Sequence, residues 1–167
     1  MSIEQQIKEW DGKSVEIIRA VYKNYHNNPE FIDTILTLIN EVSYQKGATW
    51  LLKRWLESGN QLKVGHIKSV YSTLHSLEDW ESKLHVLQSI SYMPIDKDEK
   101  ASVEAFLRAS MTDSNKFIRA WSYNGFHELS RQYPEYTEEV RRYFEMALRD
   151  EPASVKARIR NIMNKDF

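Results

Sequence analysis

One pattern recurs along this chain every 36 or 37 residues, and it restricts the possible folds more than any other feature. Ala48, Leu84, Ala120 and Ala157 occupy equivalent positions, each preceded by Gly47, Lys83, Arg119 or Lys156. Upstream, Phe31, Ile67, Val103 and Val140 fall in register. Ile35, Tyr71, Leu107 and Phe144 form a second row, and Ile39, His75, Met111 and Leu148 a third. These rows stand four residues apart, the spacing that aligns side chains on one face of an α-helix. A further set follows the Ala row: Leu51, Leu87, Tyr123 and Arg160, then Arg54, Ile90, Phe126 and Met163. Each period thus holds two helices whose apolar faces a single pair cannot bury. The spacing predicts an all-α chain, an α-solenoid of stacked antiparallel helix pairs.

Composition agrees with that class. The 167 residues include only 5 Gly and 4 Pro, too few for a turn-rich β protein. A formal charge of −1 sets up no global field toward nucleic acid or anionic lipid. The absence of Cys excludes disulfides, thiolate catalysis and Cys-ligated zinc. Met1-Ser2-Ile3-Glu4 lacks the basic and apolar segments of a signal peptide, and no apolar run approaches the roughly 18 residues of a membrane span. A cytoplasmic protein with no membrane segment is expected.

Local signals place helices near 2–10, 13–26, 29–41, 46–58, 62–75, 79–93, 98–111, 114–132, 134–149 and 153–164. Ser2 with Gln5 reads as a capping box, Asn28-Pro29 and Tyr133-Pro134 as helix starts, and Ser58-Gly59 and Met93-Pro94 as stops. The reading is a single domain over 1–167, with an N-terminal cap at 1–28 and repeats at about 29–60, 61–95, 96–132 and 133–167. Arg160 is polar where its row is otherwise apolar, as suits a terminal repeat with nothing stacked beyond it.

Two segments carry a recognisable signature. Asp113 through Arg119-Ala120 and Asp150 through Lys156-Ala157 share an Asp, an aliphatic residue, a basic residue six after the Asp, and Ala. This resembles the turn and second-helix start of HEAT repeats. A tetratricopeptide array differs in period and lacks its Trp–Leu-Gly–Tyr pattern here. Under the resemblance, Asp113 and Asp150 cap second helices, while Arg119 and Lys156 reach the neighbouring repeat's Asp as a structural ladder. Gly47 stands at the basic position of the first repeat, so the ladder is expected to break there.

The resemblance further implies a scaffold whose second helices line a surface that grips a protein or a nucleic acid. With the Ala48, Leu51 and Arg54 rows inward, that surface carries Thr49 and Lys53, His85 and Ser89, Trp121 and Gly125, and Arg158 and Ile162. The adjoining rows are Leu52, Gln88, Asn124 and Asn161, then Leu56, Tyr92, Glu128 and Lys165. The line Thr49, His85, Trp121, Arg158 is the leading recognition candidate, because exposed Trp and Arg dominate binding hot spots. Trp50, Trp55 and Trp80 are read as packing residues.

Other chemistries find weaker footing. HEAT-like deoxyhypusine hydroxylases hold two irons with several His-Glu dyads, whereas His127-Glu128 is a lone dyad; no metal site or cofactor is expected. Asp96, Asp98 and Glu99 precede a helix start, where carboxylates suit the helix dipole. No phosphate loop, Ser elbow or paired-acid motif is present, so no catalytic residue is assigned. A non-enzymatic protein-interaction scaffold is the expected function. The alternative is a HEAT-like DNA-binding or alkylpurine DNA glycosylase-like protein, for which Lys156, Arg158, Arg160 and Lys165 supply cations; Gly125 occupies the place where a catalytic carboxylate is wanted.

Overall fold

A computed structural model describes residues 1–166. Those residues are all-α, with no strand among them. The chain divides into two compact units, Met1–Met93 and the residues from Pro94 onward.

The first unit contains α1 (Ile3–Glu9), α2 (Val15–Tyr25), α3 (Phe31–Leu38), α4 (Val42–Glu57), α5 (Val64–Tyr71) and α6 (Trp80–Ser89). The Ser2 hydroxyl accepts from Gln5 N and the Gln5 side chain from Ser2 N, completing the capping box of α1. Gly59 closes α4 at φ +97, a left-handed conformation that suits a residue without Cβ. α5 ends at Tyr71, earlier than expected: the Ser72 and Thr73 hydroxyls donate to Ser69 O and Val70 O, competing with helix continuation. His75 therefore falls on a 3-10 turn, Leu74–Ser76, and is exposed rather than packed in its row.

Helix α4 is the centre of this unit, packing on α1, α2, α3 and α6, while α3 also packs on α5. Ile18, Ile35, Leu51, Leu52, Leu87 and Ile90 fill the space between them with no exposed surface. Burying each such side chain contributes about 1.5–3 kcal/mol. The α1–α4 contact depends on Gly47, since a Cβ there would lie 2.7 Å from Ile7 Cγ2. The first repeat's basic position is Gly because a helix passes over it.

The second unit contains α7 (Lys100–Met111), α8 (Lys116–Gln132), α9 (Thr137–Asp150) and α10 (Ala153–Asp166). Helix α8 packs on α7, α9 and α10, and α9 packs on α10. Val103, Leu107, Ile118, Phe126, Leu129, Val140 and Ile159 form its core. Pro134 opens a 3-10 turn, Pro134–Tyr136, that leads into α9.

The two leading rows of the first helices are buried in all four periods: Phe31, Ile67, Val103 and Val140, and Ile35, Tyr71, Leu107 and Phe144. The Ala row is buried at Ala48 and Ala120 but half-buried at Leu84 and exposed at Ala157. Two expectations are corrected. Arg54, expected inward, is exposed and lies over the Tyr22 ring at 5.8 Å. Trp80, expected as packing, is 44% exposed at the start of α6.

Candidate interaction surface

In the first unit the expected recognition line lies inside the protein. Thr49 and His85 are buried, and Thr49 Oγ1 stands 3.0 Å from His85 Nδ1. The Thr49 hydroxyl also donates to Lys46 O at 3.2 Å, which leaves it to accept from a hydrogen on His85 Nδ1. Burial, then the nearby Lys53 ammonium, lowers the His85 pKa to about 4, so the imidazole is neutral near pH 7. These two residues tie α4 to α6 and are removed from the surface. Ser89, Leu52 and Leu56 are buried as well. Lys53, paired with Glu57 at 3.0 Å, is partly exposed, Gln88 is half-buried and Tyr92 is exposed.

In the second unit the corresponding pair is accessible. The Arg158 guanidinium lies over the Trp121 ring at 4.2 Å, joining α10 to α8 through residues 37 positions apart. Both are half-buried. On the following turns, Asn124 and Glu128 are half-buried, and Asn161 and Lys165 are exposed. Glu128 pairs with Arg131 at 3.2 Å. Gly125 and Ile162 are buried and belong to the core.

Of the two expected ladder cations, Arg119 has a partner other than an Asp side chain, and Lys156 is in no ion pair among the described residues. Arg119 Nε contacts both carboxylate oxygens of Glu151, at 3.0 and 3.1 Å, and Arg119 Nη1 donates to Asp113 O and Ser114 O. Glu151, not Asp150, is therefore the acceptor, and Asp113 contributes its backbone carbonyl. The cap of α8 is Asn115, whose side chain accepts from Phe117 N and Ile118 N; Asp113 Oδ1 accepts from Asn115 N within the turn. Asp150 is the last residue of α9 and is exposed. Glu151 also raises the Tyr123 pKa to about 12, a shift caused first by burial of the phenol. In the first unit Gly47 offers no side chain to a ladder, and Lys46, one residue before it, pairs with Glu81 at 2.8 Å.

Other linkages escaped the sequence reading. Buried Gln45 donates to Ile39 O and Ser76 O and accepts from Glu78 N, stitching two interhelical turns together. Arg108 of α7 binds Glu104 at 2.8 Å and reaches Glu139 of α9 at 2.6 Å and the Tyr143 hydroxyl at 2.8 Å. Tyr136 OH donates to Glu104 at 2.7 Å. That hydrogen bond, followed by the Arg108 contact, holds the Glu104 carboxyl below its ordinary range. The contacts of Gln45 with Ser76 and Glu78, of Arg108 with Glu139 and Tyr143, and of Tyr136 with Glu104 join residues more than thirty positions apart whose identities follow no repeat, so periodicity carries no signal for them.

Charge is unevenly neutralised in the second unit. Lys100, Arg108, Arg119, Arg131 and Arg141 all have carboxylate partners. Among the described residues, Lys97, Lys116, Arg142 and Arg149 are in no ion pair, and neither are Lys156, Arg158, Arg160 and Lys165 of α10. Residues 153–165 contain no Asp or Glu. Among the described residues, no group of three or more His, Asp or Glu stands where it could hold a metal ion. No helix among them is long and apolar enough to cross a membrane. His127 of the lone dyad is buried, with its ring tilted against Phe144. A shallow cleft of about 220 Å³ in the first unit lies between Ser2, Tyr25 and Phe31. No protein-family model, curated protein or solved structure matches this chain.

Proposed function

We propose that this chain is a HEAT-like array of stacked helix pairs, and that it serves as a non-enzymatic scaffold holding a protein partner on faces lined by second helices. One observation carries the reading: residues one period apart meet each other. Thr49 contacts His85 across α4 and α6, and Arg158 covers Trp121 across α10 and α8. Packing of α3 on α5, and of α4 on α6, supports the same arrangement, because first helices meet first helices and second helices meet second.

Within each unit the reading assigns a separate surface. In the first it consists of Lys53, Gln88 and Tyr92; in the second, of Trp121, Asn124, Arg158 and Asn161. The second is the stronger candidate, since an accessible Trp–Arg stack combines the residue types richest in binding energy. The test is chemical cross-linking and mass spectrometry in native extract with wild type and a Trp121→Ala/Arg158→Ala variant. The variant is expected to lose the cross-linked partner while its thermal transition moves little. A partner retained by the variant would place binding elsewhere.

The nucleic-acid alternative draws on one observation, the unpaired cations of α10. It predicts duplex binding that weakens steeply with salt.

A further inference from the structure

We infer that the surface of α8 and α10 binds a proline-rich protein segment in the polyproline II conformation, gripping its main-chain carbonyls with Asn124 and Asn161. This inference rests on the proposed scaffold reading and adds the chemistry of the partner.

The fold leaves these two asparagines unused. Asn124 stands in the middle of α8 and Asn161 in the middle of α10, 37 positions apart. Asparagine is a poor residue for a helix interior, because its side chain competes for backbone groups and is favoured at caps and turns. Of the two half-buried asparagines, Asn115 caps α8, whereas the Asn124 carboxamide is in no hydrogen bond among the described residues. Asn161 is exposed and likewise unbonded among them. Each keeps its N–H donors and its carbonyl acceptor for a ligand.

Contacts nearby set their placement. Arg119, near the start of α8, meets Glu151 just ahead of α10, and Trp121 meets Arg158. The two helices therefore run side by side in the same sense. One turn further on, Asn124 and Asn161 share the faces that carry Trp121 and Arg158, since residues three apart are neighbours on a helix. The two carboxamides form a row across the helices, beside the Trp121–Arg158 stack.

Spacing selects the ligand. Packed helix axes lie about 8–10 Å apart. A polyproline II chain has about three residues per turn and rises about 3.1 Å per residue, so its carbonyls return to one side about every 9.3 Å. A β-strand brings equivalent groups to one side at about 6.7 Å or about 13 Å, and neither matches. The polyproline II backbone makes no internal hydrogen bonds, which leaves its carbonyls open to amide donors. Proline keeps its carbonyl and lacks only the N–H, so it loses nothing in such a grip. Half-buried Trp121, steadied by the guanidinium 4.2 Å from its ring, supplies apolar surface for a proline ring.

The experiment titrates the isotope-labelled full chain with an oligoproline of about ten residues. A Gly-Ser peptide of equal length, flexible and without rings, is the control. Nuclear magnetic resonance is expected to show the side-chain amides of Asn124 and Asn161 and the Trp121 indole N–H shifting together with oligoproline and staying still with the control. Asn124→Asp and Asn161→Asp keep the shape and remove the N–H donors, and each is expected to weaken binding about fivefold. Asn124→Ala/Asn161→Ala should abolish the indole shift while helix content holds, because alanine is the better helix former. The gripped groups are neutral, so affinity should change little with salt. Absence of shifts, shifts that persist in the Asn variants, equal binding of the control, or affinity that falls steeply with salt as for a duplex would each overturn the inference. If oligoproline fails while cross-linking still requires Trp121 and Arg158, the surface stands and only its partner chemistry falls.

Discussion

Thr49 and His85, one period apart on α4 and α6, share a hydrogen bond at 3.0 Å where neither is open to solvent. The periodic row that looks like a recognition strip in the sequence thus becomes, in the first unit, a polar joint between helices. Its lone titratable ring is neutral at pH 7, and that condition has measurable consequences.

His85 makes stability depend on pH. Its folded pKa is about 4 against 6.5 unperturbed, lowered by burial and by Lys53 and Lys46, with Asp79 opposing. Between these values the unfolded chain binds a proton that the folded chain refuses, so stability is complete above pH 6.5 and declines as pH falls toward 4. The full effect is about 3 kcal/mol. Urea unfolding at pH 7 and pH 4.5 should show a smaller pH-dependent loss in His85→Gln than in wild type. An equal loss in both proteins would rule out a buried neutral His85.

Gly47 should resist substitution. A methyl at this position would lie 2.7 Å from Ile7 Cγ2, a stiff β-branch inside the α1–α4 contact. Alanine's better helix propensity recovers about 1 kcal/mol, while overpacking costs about 1–3 kcal/mol. Gly47→Ala is therefore expected to destabilise. Ile7→Leu, which lacks the Cβ methyl, should make the same change cheaper, and a double-mutant cycle by thermal unfolding measures the coupling. Simple additivity would show that the two residues do not meet.

The partner of Arg119 can be read from two substitutions. Glu151→Ala removes the carboxylate that accepts a bifurcated, charge-assisted hydrogen bond from Arg119 Nε and is largely shielded from water, and is expected to cost about 2 kcal/mol. Asp150→Ala, one residue earlier and exposed, should stay within about 0.5 kcal/mol. Chemical denaturation compares them directly, and equal losses would contradict the Glu151 assignment.

Glu104 should contribute to the acid limb of unfolding. Tyr136 and Arg108 both favour its ionised form, so its folded pKa lies below the unfolded value. The stabilisation is present above the ordinary carboxyl range and disappears as pH falls through the folded pKa. Because Glu104 and Arg108 are open to solvent, the effect should not exceed about 1 kcal/mol. Glu104→Gln should flatten unfolding free energy below pH 5 without moving the His85 step, which is visible by repeating the urea titration across that range.

Helix content and the buried rows were legible from spacing because amphipathic periodicity is a local property. Phe31, Ile67, Val103 and Val140 are apolar at the same phase, and burying that phase is the same solution in each period. Caps such as Ser2 with Gln5 were legible for the same reason, as donor and acceptor lie within one turn. Tertiary structure decided everything that depends on which distant group arrives at a position. Thr49 and His85 are enclosed by neighbours, while Trp121 and Arg158 keep an open side. Arg119 selects Glu151 over Asp150, Lys46 pairs with Glu81, and Gly47 admits Ile7. A repeat specifies the phase of each side chain around its helix; only packing against remote residues determines whether that phase meets water, a carboxylate or another ring.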